Sequence, residues 1–310
     1  MPREHYLDAS AVHNAWDNSI PPRIAIDPCD TVIFETVEAS GAQLTPSSQP
    51  SDLTNLDFGK VNPLTGPVYV NGAQPGDILK VEVLGFQHKG WGWTGIIPGF
   101  GLLADEFPDP YLKIWELGQD EAEFKPGIVI PLEPFCGSMG VAPRVEGPVS
   151  TVAPTEHGGN LDTRGLVKGA TLYLPVWVEG ALFSCGDCHA AQGDGEVCGT
   201  GIEAPMAVTL RFDLIKGQSI PELRFETPSP LTKVDRAGYY VTTAHGPDLL
   251  ENARQAIRYM IDHLGQAHGL SRQEAYALCS VAVDLKISQV VDVPNFIVSA
   301  YLPKSIFRSS

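Results

Sequence analysis

The residues that could do chemistry are densest in the segment GDCHAAQGDGEVCGTGIE, residues 186–203. The segment contains no lysine or arginine, and its four carboxylates belong to Asp187, Asp194, Glu196 and Glu203. Crowded carboxylates repel one another unless solvation, protonation, a distant arginine such as Arg144 or Arg164, or a metal ion offsets their charge. The segment is therefore a candidate metal-binding or catalytic loop.

Asp187 and His189 are two residues apart, a spacing that suits chelation. In extended backbone, both side chains leave the same face of the chain and can bind one ion. A solvated Asp-Gly turn is the alternative interpretation of this glycine-rich segment. The unbalanced acidic charge and the neighbouring histidine favour a site.

A second polar segment, TEHGGNLDTRGL at 155–166, offers three further candidate ligands, His157, Asn160 and Asp162. Taken alone, His157 could be a structural histidine and Asn160 a turn residue. Combined with residues 186–203, the segment could complete a mixed nitrogen and oxygen shell. Such a shell suits zinc, manganese or calcium better than a soft metal that prefers thiolate ligands, and zinc is our first choice.

The cysteines include a C-x-x-C pair, Cys185 and Cys188. A zinc ribbon would require a second such pair, and a thioredoxin-like motif would require a βαβ setting, so we expect small buried thiols. A thiolate nucleophile at Cys136 or Cys198, assisted by a histidine, remains an open alternative. Six cysteines in 310 residues are too few for a disulfide scaffold and fit a reducing compartment.

Composition limits the classes of partner. The formal charge of −16 disfavours binding to nucleic acid or to anionic membranes, so neither is expected as a partner. The N-terminal residues have no apolar core of a signal peptide, and no apolar run is long enough to span a bilayer. We therefore expect a cytoplasmic globular protein.

The elements that must position these residues are mostly strands. The chain has 31 glycines and 26 prolines, and short apolar runs alternate with them up to about residue 214. The clearest strand is ILKVEVL at 78–84, where apolar and charged residues alternate. Further strands are predicted at 31–37, 111–117, 127–132, 171–178 and 206–214, and the stretch 43–67 is predicted to be a long loop. The pattern predicts a mainly β fold, a β-sandwich or barrel-like core.

The hydrophobic period changes from two to about 3.6 after His245. Apolar residues between Leu249 and Leu264 form one helical stripe that ends at Gly265 or Gly269. A second helix begins with a capping box of Ser271 and Glu274 and runs to about 284. The predicted organisation is one domain over 1–310, β-rich to 245, with a helical pair at about 247–284 and a closing strand at about 293–303.

Several ordered motifs resemble the acetamidase/formamidase family. They include HGGNLD (157–162), GDCHAAQGDGEVCGTGIE (186–203), LDFGKVNPLTGPVYVNGAQPGDILKVEVL (56–84) and IPGFG (97–101). The resemblance covers nearly the whole chain. It implies a β-rich, homo-oligomeric hydrolase with a divalent metal that releases ammonia from short amides. The residues that match the motifs are His157, Asn160, Asp162, Asp187, His189, Asp194, Glu196 and Glu203.

The mechanism that we expect is attack on formamide or acetamide by a metal-activated water. Asp187 and His189, helped by Asn160, Asp162 or His157, hold the ion. A carboxylate, first Glu203 or Glu196 and then Asp194, acts as general base and returns the proton to the departing amine. The alternatives are a Cys-dependent amidase and a calcium-binding β-sandwich module without catalysis.

Overall fold

The computed structural model describes residues 1–228, 237–289 and 294–308. In chain order, its strands are β1 Glu4–Leu7, β2 Val12–His13, β3 Ala15–Trp16, β4 Ile24–Ile26, β5 Thr31–Glu35, β6 Leu64–Val70, β7 Ile78–His88, β8 Trp91–Ile96, β9 Tyr111–Glu116, β10 Glu121–Lys125 and β11 Ile128–Pro131. They continue with β12 Phe135–Gly140, β13 Val149–Ser150, β14 Gly158–Asn160, β15 Thr171–Pro175, β16 Phe183–His189, β17 Met206–Ile215, β18 Arg224–Glu226, β19 Tyr239–Gly246, β20 Asp284–Gln289 and β21 Phe296–Pro303. The two α-helices of the described residues are α1 Leu249–His268 and α2 Arg272–Ala282.

Two large sheets make the body of the fold. The first has the strand order β1-β5-β17-β7-β15-β18, and the second has the order β14-β12-β16-β6-β2 with β4 beside β6. β7 alternates as predicted, because Leu79, Val81 and Val83 are buried while Lys80 and Glu82 are partly exposed. The alternation buries one face of this sheet against the second.

Aromatic side chains join the two sheets. The Phe183 ring of β16 lies 5.0 Å from Phe212 of β17 and 5.9 Å from Phe34 of β5, both edge to face. All three side chains are fully buried, so this contact fixes the second sheet on the first. The mainly β prediction is confirmed. The described strands form several open sheets and no closed barrel, so the barrel-like alternative is wrong for this part of the chain.

The C-terminal helical pair is also confirmed. Asp248 caps α1 by accepting from the Glu251 amide, and Gly269 ends it in the left-handed conformation at φ 66°. Ser271 and Glu274 form the predicted capping box at the start of α2. The helices pack against the third sheet, which has the order β19-β21-β20.

Two predicted boundaries differ from the structure. The stretch predicted as a loop at 43–67 contains a 3₁₀ turn at Pro50–Asn55, and its last residues belong to β6, which begins at Leu64. Glycine and proline residues near the start of β6 are typical of turns, so the sequence predicted a loop where the strand begins. The closing strand begins at Phe296, and Val293, where we predicted its start, lies outside the described residues.

Candidate active site

β16 positions the first two site residues. It lies between β12 and β6 in the second sheet, and all of its residues are buried. Asp187 has a left-handed backbone (φ 51°), and its Oδ1 lies 3.5 Å from Nε2 of His189. The two residues of the predicted chelating pair are thus brought together. They sit in a strand rather than in the loop that the glycines suggest.

Glu203 joins this pair through isolated backbone bridges. It pairs with His189 on one side and with Trp93 of β8 on the other. Its Oε1 accepts a hydrogen bond from the Gly201 amide at 2.7 Å, and its Oε2 lies 3.1 Å from Nε2 of His189. The backbone pairing therefore holds the carboxylate at the imidazole.

Asp162 arrives from the end of β14. Its amide donates to the Gly137 carbonyl at 3.2 Å, and its Oδ2 accepts from Nδ2 of Asn160 at 2.8 Å. Ser138 donates to Oδ1 of Asn160 at 2.8 Å, which fixes the orientation of the amide. The remaining oxygen, Asp162 Oδ1, lies 3.8 Å from Nε2 of His189.

Two of these carboxylate oxygens are buried and make no hydrogen bond of regular geometry. Asp162 Oδ1 and Glu203 Oε2 make no hydrogen bond, although each faces His189. Potential ligand atoms of Asp187, His189 and Glu203 lie within 4.8 Å of one another, as do those of Asp162, His189 and Glu196. Because unpaired buried oxygens are costly, this mixed set fits a divalent cation that prefers imidazole and carboxylate.

The carboxylates of the cluster are buried close together, so burial and mutual repulsion change their pKa values. Burial, reinforced by neighbouring carboxylates, raises the pKa of Glu203 to about 8 and that of Asp162 to about 6. Burial and the charge of Asp162 raise the pKa of Glu196 well above its ordinary value. Burial alone would lower the pKa of His189, but the charges of Glu203 and Asp187 outweigh it and raise that pKa well above its ordinary value. The cluster favours bound positive charge, whether protons or a metal ion.

Gln192 is a site residue that the sequence analysis missed. Its Nε2 donates to the Asp162 carbonyl at 2.7 Å, so its Oε1 accepts from Nδ1 of His189 at 2.7 Å. This hydrogen-bond network assigns the proton on Nδ1 and directs Nε2 towards the carboxylates. Its position three residues after His189, inside the acidic segment, was the available signal.

A cavity of about 450 Å³ opens onto the cluster. Its polar lining comprises Ser40, Asn62, Asn160, Asp162, Asp187, Glu196, Thr200 and Glu203. Its volume lies in the range of small-molecule sites, roughly 300–1,000 Å³. The described residues that line it include no lysine or arginine.

Comparison with known sequences identifies the relatives. The model of the acetamidase/formamidase family matches residues 2–148 and 145–309. The chain belongs to this family. It is similar to a formamidase from Methylophilus methylotrophus, with 29% identity over 96% of this chain and 89% of the relative. It is also similar to an acetamidase from Mycolicibacterium smegmatis, with 29% identity over 66% of each chain. This member of the acetamidase/formamidase family is a hydrolase that acts on linear amides.

Solved structures of related proteins share the fold. A γ-lactamase from Delftia acidovorans superposes with a TM-score of 0.92, at 28% identity, covering 99% of this chain and 94% of that one. An acetamidase from Bacillus halodurans has 36% identity and a TM-score of 0.69, covering 96% of each chain.

Two predicted site residues of this family member lie away from the cluster. Asp194 has a half-exposed carboxylate 3.9 Å from Arg164, and its amide donates to Asp284. The His157 ring is buried against Trp16 with centroids 5.1 Å apart, its Nδ1 contacts Thr155, and burial lowers its pKa to about 4. Neither residue lines the described cavity. Their catalytic and metal-binding roles stay predictions.

Of the two arginines considered as partners for the acidic segment, Arg164 lies 3.9 Å from Asp194, whereas Arg144 pairs outside the segment. Arg164 forms an ion pair with Asp284. Arg144 lies 3.2 Å from Glu156 and over the ring of Trp177. In the described part of the chain, neither arginine lines the cavity, so neither offsets the charge of the carboxylates at His189.

All six cysteines are free thiols. Burial raises the pKa of Cys198 to about 11, and its Sγ lies 3.5 Å from the Gly95 carbonyl. Cys136 is buried with its Sγ 3.5 Å from that of Cys188, and its pKa is raised well above the ordinary value through its contact with Cys185. Such thiols are poor nucleophiles, because the thiolate is the reactive form.

None of the helices in the described residues has the length and apolar character needed to cross a membrane.

Proposed function

We propose that the chain hydrolyses short aliphatic amides such as formamide and acetamide to carboxylate and ammonia, with a divalent metal ion in the cavity. The supporting observation is the pair of buried oxygens of Asp162 and Glu203 that face His189 without a regular hydrogen bond. Asp187, His189, Glu203 and Asp162 would hold the ion. Zinc is the first candidate, and manganese and calcium are alternatives that accept the same ligand types. The names of the formamidase and acetamidase relatives support the substrates.

A divalent ion in this position supplies Lewis-acid polarisation of the amide carbonyl and a lowered pKa for water. The protein residues supply proton transfer and orientation. Glu196 lines the cavity and has a raised pKa, so its carboxylate can take a proton from the attacking water and deliver it to the departing nitrogen. Gln192 fixes the ring of His189, and Asn160 fixes the carboxylate of Asp162. Because Glu203 lies at Nε2 of His189, we assign it to the ion rather than to proton transfer.

Metal dependence is tested on the purified enzyme by elemental analysis and an ammonia-release assay before and after chelation. We expect chelation to abolish turnover of formamide and acetamide, and added zinc or manganese to restore it. Full activity in a verified metal-free preparation would contradict the proposal. Calcium that raises the melting temperature without restoring turnover would indicate a structural ion.

A Cys-dependent amidase is the competing mechanism. Alanine variants of Cys136 and Cys198 separate the two, because loss of a nucleophile costs orders of magnitude in kcat, whereas loss of packing costs mainly stability. We expect the two variants to keep turnover within about tenfold and to melt at lower temperature. Membership of a family with a formamidase and an acetamidase among the relatives disfavours a binding module without catalysis.

We also propose that the enzyme is a cytoplasmic homo-oligomer that binds neither nucleic acid nor membrane. Its six free thiols are consistent with a reducing compartment, and its charge of −16 repels phosphate groups. Light scattering of the eluted protein measures the oligomeric state. A mass of 33.4 kDa would indicate a monomer and contradict the proposed assembly.

A further inference from the structure

The cavity is larger and more apolar than a one- or two-carbon amide requires. At about 450 Å³ it exceeds the volume of acetamide several times over, since a water molecule takes about 30 Å³ of liquid. Apart from the polar cluster and Ser40, Asn62 and Thr200, its lining is mainly aliphatic and aromatic. These side chains include Leu56, Phe58, Val61, Ile97, Phe100 and Val152. Space next to the reacting group is therefore available for an apolar substituent.

The apolar lining comes from segments that do not carry the carboxylates. Leu56 and Ile97 belong to a small hydrophobic cluster that also contains Trp93, separate from the main core. The carboxylates come from residues 160–203 instead. The cavity thus has a polar part for the amide group and an apolar part built by other elements.

Two aromatic residues of this lining are unusually exposed. Phe58 is 61% and Phe100 45% exposed, although both are large apolar side chains. The Phe100 ring lies on Gly199, where an added Cβ would approach it to 2.5 Å. Exposed apolar surface in a concave site marks a place where a ligand buries it.

The charge of the cavity limits what can enter. Four carboxylates line it, and no lysine or arginine does so among the described residues, so an anionic substituent would be repelled. A strongly hydrated substituent would lose its water against the aromatic and aliphatic lining. The substituent that fits is uncharged and apolar.

We infer that the enzyme prefers primary amides with a bulky, uncharged, apolar acyl group, branched or aromatic, over formamide and acetamide. This inference rests on the proposed function of the same site. The reaction is the same: water adds its oxygen to the acyl carbon, the C–N bond breaks, and ammonia leaves with the transferred proton. The acyl group occupies the apolar part of the cavity and covers Phe58 and Phe100.

The test is kcat/KM for ammonia release from formamide, acetamide, isobutyramide, cyclohexanecarboxamide, benzamide and succinamate. Each buried methylene adds about 0.8 kcal/mol, so we expect a roughly three- to fourfold gain per added carbon. Succinamate, which is anionic, should be turned over far more slowly than isobutyramide. A kcat/KM that falls steadily beyond acetamide would overturn the inference, whereas no turnover of any amide would overturn the proposed function instead.

Substitution of Phe100 by alanine tests the apolar part directly. We expect the ratio of kcat/KM for cyclohexanecarboxamide to that for formamide to fall about tenfold, because the variant loses apolar contact area. Phe58→Ala is the second variant and should lower the same ratio. It replaces Phe100→Ala in the test if that variant does not fold. Tyr259→Ala is the matched control, since this aromatic residue is 49% exposed on α1 and does not line the cavity. An unchanged ratio in both phenylalanine variants would contradict the inference.

Discussion

At residue scale, Gly137 leaves the space that the carboxylates occupy. A Cβ at this position would lie 2.6 Å from Asp162 Oδ1, 2.7 Å from the Asp187 carbonyl and 2.9 Å from Asp187 Oδ2. Its φ is not in the left-handed region, so lack of space, rather than backbone conformation, requires glycine. Any side chain would separate the two aspartates.

We therefore expect Gly137→Ala to abolish metal binding and lower kcat/KM by at least about 100-fold, at a stability cost of roughly 1–3 kcal/mol from overpacking. Metal content, ammonia release and melting temperature measure these effects. Gly85→Ala is the matched control, because it changes a strand glycine with open space around its Cβ position. A Gly137→Ala enzyme with normal metal content would refute this role.

Gln192 acts through His189. In Gln192→Met, Nδ1 of His189 loses its acceptor, and the ring can rotate its Nε2 away from Glu203 and Asp187. Loss of a ligand's outer partner typically costs 10- to 100-fold in metal affinity, and we expect a loss of that size. Competition with a chromophoric chelator measures the affinity. An unchanged affinity would show that packing alone holds the ring.

At the scale of elements, α2 braces the segment that carries Glu196 and Glu203. Ser280 donates to the Thr200 carbonyl at 2.6 Å and accepts from the Cys198 amide at 3.1 Å. Tyr276 donates to the Val197 carbonyl and accepts from the Leu103 amide at 2.8 Å. The path of this loop therefore depends on a helix about eighty residues later in the chain.

Ser280→Ala should weaken the attachment of α2 to the segment that carries Glu196 and Glu203. We expect a loss of about 1–3 kcal/mol from the two buried groups left without the hydroxyl, together with a lower kcat. Ser271→Ala, which removes the cap of the same helix, should cost about 1 kcal/mol with kcat unchanged. Urea unfolding and steady-state assays separate the two variants. Equal kcat values in Ser280→Ala and wild type would show that the loop holds its path without α2.

At the level of the whole molecule, the buried acidic cluster around His189 lowers the free energy of unfolding, because its carboxylates repel one another. The pKa of Glu203 is raised by burial from 4.5 to about 8, so the folded metal-free protein holds a proton that the unfolded chain releases. The sign follows from proton linkage: stability of the metal-free protein falls as pH rises from about 4.5 to about 8. A bound cation relieves the same repulsion.

Glu203→Gln should remove this pH-dependent loss of stability. We expect the metal-free variant to unfold at higher temperature than metal-free wild type, by an amount that grows over that pH window. Metal at about a hundredfold excess over its Kd should stabilise wild type by about 2.7 kcal/mol and the variant by less. Thermal melts with and without zinc at several pH values measure both effects. A variant that melts below wild type throughout would contradict the electrostatic account.

Features that depend on near neighbours in the chain could be predicted from the amino-acid sequence. The alternation at 78–84 specifies a half-buried strand, and the pair Ser271 and Glu274 specifies the start of α2, because both signals act between near neighbours. The two-residue spacing of Asp187 and His189 is equally local, and the structure brings these side chains together. The ordered motifs also sufficed to indicate the family.

The identity of the polar residues that meet at the site depends on contacts between distant parts of the chain. Asp162 reaches His189 through the pairing of β14 with β12, and Glu203 reaches it through isolated bridges, while Asp194 is drawn away to Arg164 and Asp284. These contacts join residues that are far apart in the chain. The composition of a segment does not show which of its acidic side chains face the interior and which face solvent. Sheet register and the contacts of α2 make that choice, because they fix the backbone positions from which the side chains face one another.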